Sequence, residues 1–585
     1  MLSVSNKDVA EMLREIGEHL AMKNVPFKPR AYEKAAGVID GLEEEIAETY
    51  KTGGRKALEA IPGVGISIAE KIEELLKTGH VKYLEGLERK TPVDLEKLSR
   101  LEGLGPKSIK MLYEKLDIRN IADLEAAANA GKIAKLEGFG AKKEENILKS
   151  IGFAKSSGGR FVLGFEMAEI LEIEKRLSKF SETEKVIVAG SVRRWKETIG
   201  DVDILAVSKT PKPIMDFFIA MPEVVHVIAH GETKSSVKLR SGINVDLRVV
   251  EEKSYGAALN YFTGSKDHNV ALRRIAIAKG WKLNEYGLFE GERRTKKGEG
   301  DGKMIAGRTE EELYRKLGLD YIEPELRENT GEIEADWKHM LPKLIGYGDL
   351  CGDLQVQTNW TDGSDSIESM AKAAMARGLK YIAITDHTKR LAMTHGLDEK
   401  RITAQMAEID KLNKRFAGKI TILKGSECDI LRDGSLDLPD KILEKLDIVG
   451  ISVHSYFNLS RVEQTERIKR AMANPNADIL FHPTGRVINR RPAYDANMEE
   501  LIATAKKTGT IMEIDAFPDR LDLKDEHIRL CVEAGVKMSI DSDAHAPAHF
   551  PYLEYGIAQA RRGWATKADI VNAWPVKKML GFLKQ

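Results

Sequence analysis

The segment GSVRRWKETIGDVDILAV at residues 190–207 decides the fold of the middle of the chain. It predicts a glycine turn that opens a short helix, followed by an apolar strand that starts with Asp201 and Asp203. Residues two apart in a strand face the same side, so the two carboxylates project together. A third carboxylate, Asp246 in the motif VDLR, lies on a separate predicted strand. Three converging carboxylates are oxygen ligands suited to two Mg²⁺ or Mn²⁺ ions.

The turn before that strand predicts an anion site. Gly190 and Ser191 place free backbone N–H groups at the start of a helix, where they favour a phosphate. Arg194 would add charge-assisted hydrogen bonds, and Gly200 leads directly into the carboxylate strand. A lone D-x-D motif is more often a turn or a solvated strand edge. The complete ordered set favours a nucleotidyl-transfer centre.

Composition sets wider limits. The 585 residues exceed a single core and predict roughly three to five domains. Basic and acidic residues balance at 91 each, which neither indicates nor excludes nucleic acid. The three cysteines have no metal or disulfide spacing, which favours a reducing cytoplasm. Neither a signal pattern nor an apolar run of about 18 residues is present, so no membrane span is expected.

A short glycine hairpin recurs three times in the helical first 150 residues, and an apolar-periodic helix follows each copy. This is the pattern of a helix-hairpin-helix unit, in which glycines let the backbone approach a DNA phosphate and the next helix offers free N–H groups. Such contacts position DNA without reading its sequence. The candidate DNA-binding glycines are Gly63, Gly65, Gly103, Gly105, Gly138 and Gly140.

The rest of the chain is mixed α and β. Strands are predicted at 185–189, 202–208, 224–229, 236–240 and 243–250. The polar stretch that begins at Pro324 predicts an interdomain linker. After about residue 350, apolar runs that end in His, Asp or Glu alternate with helical segments, which indicates a parallel sheet or barrel with polar ligands at the strand ends.

The motif YFTGS at residues 261–265 completes an ordered series with GSVRR, GDVD and VDLR. This series resembles the family X DNA polymerases, the DNA polymerase beta group. The resemblance implies that Tyr261 and Phe262 close against the nucleotide sugar next to Gly264. It also implies that Asn269 contacts the incoming nucleotide and that Arg273 contacts the template strand. Trp195 stands where the family commonly has glycine.

The N-terminal motifs RAYEKAAGVI and IPGVGISIAEKIEELL look like the polymerase beta lyase domain. The resemblance places the family's Schiff-base lysine at Lys71. Such a lysine needs a lowered pKa from nearby cations or desolvation. The alternative is that Lys71 is a solvated lysine on a helix face, and the sequence leaves both interpretations open.

From Gly352 onward the chain resembles the PHP (polymerase and histidinol phosphatase) domain. The family opens with an H-x-H pair, but this chain has Gln355 and Gln357 at those positions. An amide oxygen is a poor ligand for Zn²⁺. We therefore expect reduced 3′-5′ exonuclease activity and an incomplete set of Zn²⁺ or Mn²⁺ ions. The remaining ligand positions are filled by Asp362, His387, Glu427, His454, His482, Asp543 and His545.

The expected architecture has several domains. A helix-hairpin-helix N-terminus spans 1–90 (lyase-like) and 91–155 (fingers-like). An α+β nucleotidyltransferase palm at 156–255 and a thumb at 256–325 follow. A linker at 326–349 leads to a distorted β/α barrel at 350–585.

The leading hypothesis is a DNA-directed DNA polymerase that fills short gaps during repair. It would be a monomer in the cytoplasm that binds gapped or primer-template DNA and dNTPs. One alternative is a polymerase whose PHP exonuclease is fully active despite the glutamines. Another is a DNA-end binding scaffold with decayed sites, which the intact Asp201, Asp203 and Asp246 argue against. A nucleotidyltransferase for tRNA or small molecules is disfavoured by YFTGS and the hairpins.

Overall fold

A computed structural model describes residues 4–583, except positions 5, 24, 41, 43, 44, 100, 102, 103, 157, 158, 291–301, 392 and 393. Gly103 therefore lies outside the described residues. Within the described part of the chain, no helix combines the length and the apolar character that crossing a bilayer requires.

Nine helices form the described part of the first 156 residues, as the sequence predicts. Their apolar faces make two separate cores, one among α1 to α5 and one mainly among α6 to α9. The helices are α1 (Asn6–Met22), α2 (Lys28–Asp40), α3 (Ile46–Glu59), α4 (Ile66–Thr78), α5 (Lys82–Glu88), α6 (Leu95–Ser99), α7 (Pro106–Leu116), α8 (Ile121–Asn129) and α9 (Gly140–Ser156).

Two of the hairpins have the same geometry where the second helix starts. Gly65 and Gly105 are the N-caps of α4 and α7, with φ, ψ of −83°, 170° and −84°, 169°. Neither has a side chain to cap the helix, so the first N–H groups face outward. Open space surrounds the position where a Cβ would lie at both glycines. The third hairpin differs, because Gly138 and Gly140 both have positive φ and α9 begins at Gly140 itself.

The palm is built on a five-stranded mixed sheet of order β2-β4-β7-β6-β5. Only the central pair, β4 and β7, is parallel. The five strands lie within two residues of the predicted bounds. The elements are β1 (Phe161–Val162), α10 (Leu163–Ser178), β2 (Lys185–Val188), α11 (Gly190–Arg193), β3 (Thr198–Ile199), β4 (Asp201–Val207), α12 (Pro211–Ile219), β5 (Val224–His230), β6 (Lys234–Leu239) and β7 (Asn244–Val250).

The thumb follows the palm without a break, and its small core also includes Trp564 of the C-terminal region. A short three-stranded antiparallel sheet lies beside its helices. The elements are α13 (Tyr255–Thr263), α14 (Lys266–Ala278), β8 (Trp281–Asn284), β9 (Gly287–Glu290), β10 (Lys303–Ala306), α15 (Glu310–Leu317) and α16 (Glu332–Trp337), with a 3₁₀ turn at Pro324–Leu326.

The segment predicted as a linker is ordered and packed. Arg327 is fully buried and pairs with Glu310, which also pairs with Arg193 of the palm at 2.7 Å. Glu332, also fully buried, contacts His268 at 2.6 Å. A buried charge is tolerated only when it is paired, so the polar composition here serves buried ion pairs rather than solvent. Composition alone could not separate these two possibilities.

The C-terminal region is a seven-stranded parallel sheet that curls into a nearly closed barrel, in agreement with the predicted fold class. The first and last strands meet through a bridge between Val356 and Ala544. The elements are β11 (Gly352–Val356), α17 (Ile367–Ala376), β12 (Tyr381–Ile384), α18 (Glu399–Arg415), β13 (Thr421–Asp429), α19 (Asp440–Leu443), β14 (Ile448–Ser452), α20 (Arg461–Met472), β15 (Ile479–Leu480), α21 (Met498–Thr508), β16 (Ile511–Asp515), α22 (Asp525–Ala534), β17 (Met538–Asp541), α23 (Leu553–Arg562) and α24 (Val576–Leu583).

Two apolar layers build the barrel. The outer layer lies between strands and helices and includes Val356 and Ile451. The inner layer includes Leu423 and Phe481 and packs with Met579 of α24. The polar residues at the strand ends, described below, belong to neither layer. The apolar layers therefore hold the strand ends, and with them the ligand side chains, in fixed positions.

Candidate active sites

Three carboxylates meet on the two central strands of the palm. Asp203 on β4 is the direct register partner of Asp246 on β7, and Asp201 begins the same strand as Asp203. Lys234 on β6 contacts Asp246, with 2.6 Å between Nζ and Oδ2. Burial first, and then the charges of Asp201 and Asp246, raise the pKa of Asp203 to about 6. Carboxylates that repel one another in this way fit a divalent cation.

The predicted anion turn lies directly beside this set. Gly190 begins α11 with φ of +63°, and a Cβ there would lie 2.6 Å from Oδ2 of Asp203. Only glycine avoids both the left-handed strain and that contact. The turn therefore brings backbone N–H groups next to the carboxylates.

One open cleft of about 410 Å³ gathers the predicted nucleotide-binding residues. Its lining also includes three cations that the sequence analysis did not single out, Arg160, Lys196 and Lys266. Lys196 lies two residues after Arg194 and Lys266 directly follows YFTGS, so their motifs could have marked them, whereas no motif lies beside Arg160. The predicted residues in the lining are Gly190, Ser191, Arg194, Gly200, Asp201, Asp203, Tyr261, Phe262, Gly264, Asn269 and Arg273.

The YFTGS motif forms the opposite wall of the cleft. Tyr261 and Phe262 meet edge to face, with ring centroids 5.1 Å apart, and the Tyr261 side chain is 38% exposed. Asn269 donates from Nδ2 to the carbonyl oxygen of Tyr261 at 2.7 Å, and Arg273 donates to the Asn269 carbonyl at 3.3 Å. The wall thus has an exposed aromatic edge that α14 holds from behind.

Lys71 lies on α4 away from this cleft. Its Nζ donates to the carbonyl and hydroxyl oxygens of Ser67 at 2.9 and 3.0 Å. The same nitrogen lies 4.7 Å from the ring centroid of Tyr83. These contacts are compatible with either interpretation of Lys71, and its lyase role stays a prediction.

In the barrel, the buried carboxylate of Glu427 is the centre of the predicted metal ligands. Oε1 lies 2.7 Å from Nε2 of His482 and 3.0 Å from Nε2 of His454, and Oε2 lies 3.2 Å from Nδ1 of His387. Although burial favours the neutral carboxyl, the charges of His387 and His454 hold the pKa of Glu427 well below its usual value. Glu427 and Asp429 likewise raise the pKa of His454 to about 9 against the effect of burial.

A second group lies beside the first. Oδ2 of Asp362 is 3.6 Å from Nε2 of His387 and 3.8 Å from Nε2 of His545. Among the described residues, two sets of His, Cys, Asp or Glu bring three ligand atoms within 4.8 Å of one another: Asp362 with His387 and His545, and His387 with Glu427 and His454. These imidazole and carboxylate donors fit a borderline metal such as Zn²⁺ or Mn²⁺.

The two glutamines at the end of β11 offer amide groups rather than imidazole or carboxylate donors. Val356 packs outward in the strand-to-helix core, so Gln355 and Gln357 point to the barrel interior. Gln357 donates from Nε2 to Oε2 of Glu427 at 2.9 Å. Gln355 is fully buried, and neither its Oε1 nor its Nε2 has a hydrogen-bond partner. This donor set does not fit Zn²⁺.

Asp543 belongs to neither group of three, but its Oδ1 lies 3.8 Å from Nδ1 of His545 and its Oδ2 faces Arg520. Nε of Arg520 lies 3.8 Å from Oδ2 of Asp543 and 3.5 Å from Oδ2 of Asp515. Burial and the charge of Asp543 raise the pKa of Asp515 well above its usual value, which the Arg520 charge opposes. Arg520 directly follows the strand-end sequence EIDAFPD, a position that no motif marks as a site residue.

Comparison with known proteins agrees with this architecture. The helix-hairpin-helix domain model matches residues 4–81, and the SAM-like helix-hairpin-helix tandem matches 95–152. The DNA polymerase beta thumb matches 258–328 and the PHP domain matches 353–514. The DNA polymerase/3′-5′ exonuclease PolX of Bacillus subtilis (strain 168) is 37% identical over 582 residues, which cover 99% of each chain.

The chain belongs to the family X DNA polymerases that carry a PHP domain. Similarity to DNA polymerase lambda of Rattus norvegicus is 24% identity over 42% of both chains. A probable phosphatase of Thermoanaerobacter sp. (strain X514) is 30% identical over 38% of this chain and 88% of its own. The family assignment and the fold class made from the sequence are therefore confirmed. The roles of individual residues stay predictions.

Proposed function

We propose that this family X polymerase fills short gaps in DNA by nucleotidyl transfer at Asp201, Asp203 and Asp246. The register pairing of Asp203 with Asp246 carries the proposal, because it directs the carboxylates to one point beside the cleft. They would hold two Mg²⁺ or Mn²⁺ ions, which supply Lewis-acid stabilisation of the attacking and leaving oxygens when bound. The chain's own part is to fix those ligands and to place the nucleotide against them.

The remaining cleft residues would bind and orient the substrates. Gly190 and Ser191 offer N–H groups to the triphosphate, and Arg194 adds a guanidinium. Tyr261 and Phe262 would pack against the sugar and disfavour a 2′-hydroxyl. Asn269 would fix the incoming nucleotide, and Arg273 would contact the template strand. We assign Arg160, Lys196 and Lys266 to neutralising substrate phosphates, because they line the same cleft.

The hairpins would hold the DNA on both sides of the gap through phosphate contacts at Gly63, Gly65, Gly103 and Gly105. The protein would act as a monomer. Gly138 and Gly140 belong to the third copy. The domain division proposed from the sequence, with limits at residues 90, 155, 255, 325 and 349, assigns the first two units to DNA binding.

A gapped substrate tests this arrangement. We expect extension into a one-nucleotide gap with a 5′-phosphate to exceed extension of the same primer without a downstream strand by about tenfold in kcat/KM, because linked contacts raise the effective concentration. Initial rates with a labelled primer measure both, and an equal-length blunt duplex serves as the control. Equal kcat/KM on both substrates would rule out a preference for gaps.

The raised pKa of Asp203 predicts how Mg²⁺ activation depends on pH. Below about pH 6 the carboxyl binds a proton that Mg²⁺ must displace, so we expect the half-activating Mg²⁺ concentration to rise by up to about tenfold per pH unit. Above about pH 6 it should become nearly constant. Mg²⁺ titrations of primer extension at about pH 5.5, 6.5 and 7.5 measure this dependence. A half-activating concentration that does not change across the three values would contradict it.

For the PHP domain we propose a weakened 3′-5′ exonuclease. The amides of Gln355 and Gln357 replace nitrogen donors, and the Arg520 guanidinium supplies a fixed positive charge next to Asp515 and Asp543. Two ligand groups remain, built on Glu427 and on Asp362. A fully active exonuclease is the competing function, favoured by those two groups and by the similarity to a polymerase/exonuclease.

A further inference from the structure

One arginine of the PHP barrel reaches the polymerase half. Arg562 ends α23, and its side chain is only 3% exposed. Nη1 donates to the carbonyl oxygen of Arg194 at 2.8 Å and lies 3.1 Å from Oε1 of Glu328. Nη2 lies 2.5 Å from Oδ2 of Asp525, which anchors the guanidinium within the barrel. Arg562 therefore connects the barrel directly to a residue of the nucleotide cleft.

Glu328 is shared between the two arginines. Its Oε1 also lies 3.1 Å from Nε of Arg194, and Nζ of Lys196 is 3.8 Å away. Although burial favours the neutral form, Arg562 and Arg194 lower the pKa of Glu328. Because Arg562 also pairs with Asp525, the cluster contains three cations and two carboxylates and keeps one net positive charge. Arg562 shares the Glu328 carboxylate with Arg194 and so leaves Arg194 with positive charge available for a phosphate.

The residues next to Arg194 are held by the same domain. Trp195 has φ of +52° and lies between the rings of Tyr347 and Tyr555, with centroids 5.9 and 5.7 Å away. Glu197 pairs with Arg486 of the barrel at 2.8 Å. The loop from the anion turn to the carboxylate strand therefore contacts the barrel at Trp195 and Glu197.

We propose that Arg562 is a positioning residue for nucleotide binding, and that the PHP barrel orients Arg194 through it. The proposal rests on the proposed function, because it assumes that Arg194 binds the triphosphate. It gives the barrel a role in polymerisation that is independent of its own metal ligands. The barrel would then affect how the polymerase half binds dNTP.

The neighbouring Arg561 is a matched control. It is also buried on α23 and forms an ion pair outside the barrel, with Nε 2.7 Å from Oε1 of Glu325. It also donates to the carbonyl of Ile345 at 2.9 Å. No described hydrogen bond or ion pair joins it to Arg194 or Glu328. Its guanidinium also lies 5.2 Å from the ring centroid of Tyr347, so replacing Arg561 disturbs the same interface beside Trp195 and leaves the ion pairs of Arg194 and Glu328 in place.

We expect Arg562→Gln to raise the KM for dNTP about tenfold, with kcat changed by less than about threefold, because a displaced binding group weakens substrate positioning. Arg561→Gln should leave this KM unchanged, although we expect it to lower the Tm by about as much as Arg562→Gln does. Arg562→Lys, which keeps the charge beside Glu328, should fall between wild type and Arg562→Gln and also covers the case that Arg562→Gln does not fold. Steady-state extension on one gapped substrate in the full-length protein measures all of them.

Arg194→Ala tests the triphosphate role of Arg194 separately from the positioning role of Arg562. If it raises KM and adding Arg562→Gln causes no further rise, Arg562 acts through Arg194 as proposed. If the two effects on KM multiply, or if Arg562→Gln behaves like Arg561→Gln, the coupling is wrong while the polymerase assignment stands. If Arg194→Ala itself leaves KM unchanged, the triphosphate role of Arg194 fails, and this proposal fails with it.

Discussion

The variant Asp201→Ala/Asp203→Ala should lose primer extension by at least about a thousandfold in kcat, equivalent to about 4 kcal/mol of transition-state stabilisation. Both side chains begin β4 at the edge of the cleft, and Asp203 pairs in register with Asp246. Without them, one carboxylate remains to hold two divalent ions. Single-turnover extension with saturating Mg²⁺ and dNTP measures the chemical step without contributions from product release.

The fold should tolerate this change. Burial and repulsion raise the pKa of Asp203 to about 6, so its ionised form near neutral pH destabilises the folded state and its removal should not lower the Tm. Asp216→Ala is the matched control, since Asp216 is an exposed palm carboxylate on α12 that contacts Lys212 and His230. Extension that persists in the double variant would contradict the carboxylate assignment. No extension by the wild type would favour a DNA-end binding scaffold.

Restoring the histidines should have the second largest effect. We expect Gln355→His/Gln357→His to bind about one more metal ion per chain and to raise 3′-5′ exonuclease activity by roughly ten- to a hundredfold. Both side chains are buried and point inward, and Gln357 already contacts Glu427 at 2.9 Å. Imidazoles at these positions supply the nitrogen donors that the amides lack.

Metal content and nuclease activity need separate measurements. Metal per chain by elemental analysis, after dialysis against Zn²⁺ or Mn²⁺, gives the first, and shortening of a labelled 3′ end without dNTPs gives the second. Gln355→Ala/Gln357→Ala controls for loss of the amides, and His454→Ala in the restored variant should abolish the gain. A wild type that already degrades 3′ ends as fast as the restored variant would support the fully active exonuclease instead.

Local patterns predicted much of this molecule. The predicted strands of the palm match the observed strands within two residues at each end, and β7 shows the alternating burial of a strand covered on one face. Eleven residues that the motifs singled out line one cleft. In the barrel, apolar runs ending in His, Asp or Glu identified the ligand-bearing strand ends, because parallel strands bring their carboxyl ends to one edge.

What the sequence did not reveal depends on distant partners. Arg520 and Arg562 resemble any other surface arginine in composition, and only the folded chain brings them to Asp543 and Glu328. The packed segment after Pro324 was predicted as a linker for the same reason. The sequence alone does not distinguish a buried arginine such as Arg327 from a solvated one. Trp195 was identified as a departure, but its partner Tyr555 lies 360 residues later in the chain.

The ordered segment between thumb and barrel has a consequence for how the two halves can be inherited. Arg561 and Arg562 in one half pair with Glu325 and Glu328 in the other. A gene split at this segment would yield two polypeptides. Each would expose charged side chains, the arginines on one and the glutamates on the other, that are paired and largely buried in the intact chain. If the nuclease ligands were lost, the chain would therefore still need the barrel to cover these charges. The barrel would be retained as long as the polymerase half depends on these contacts.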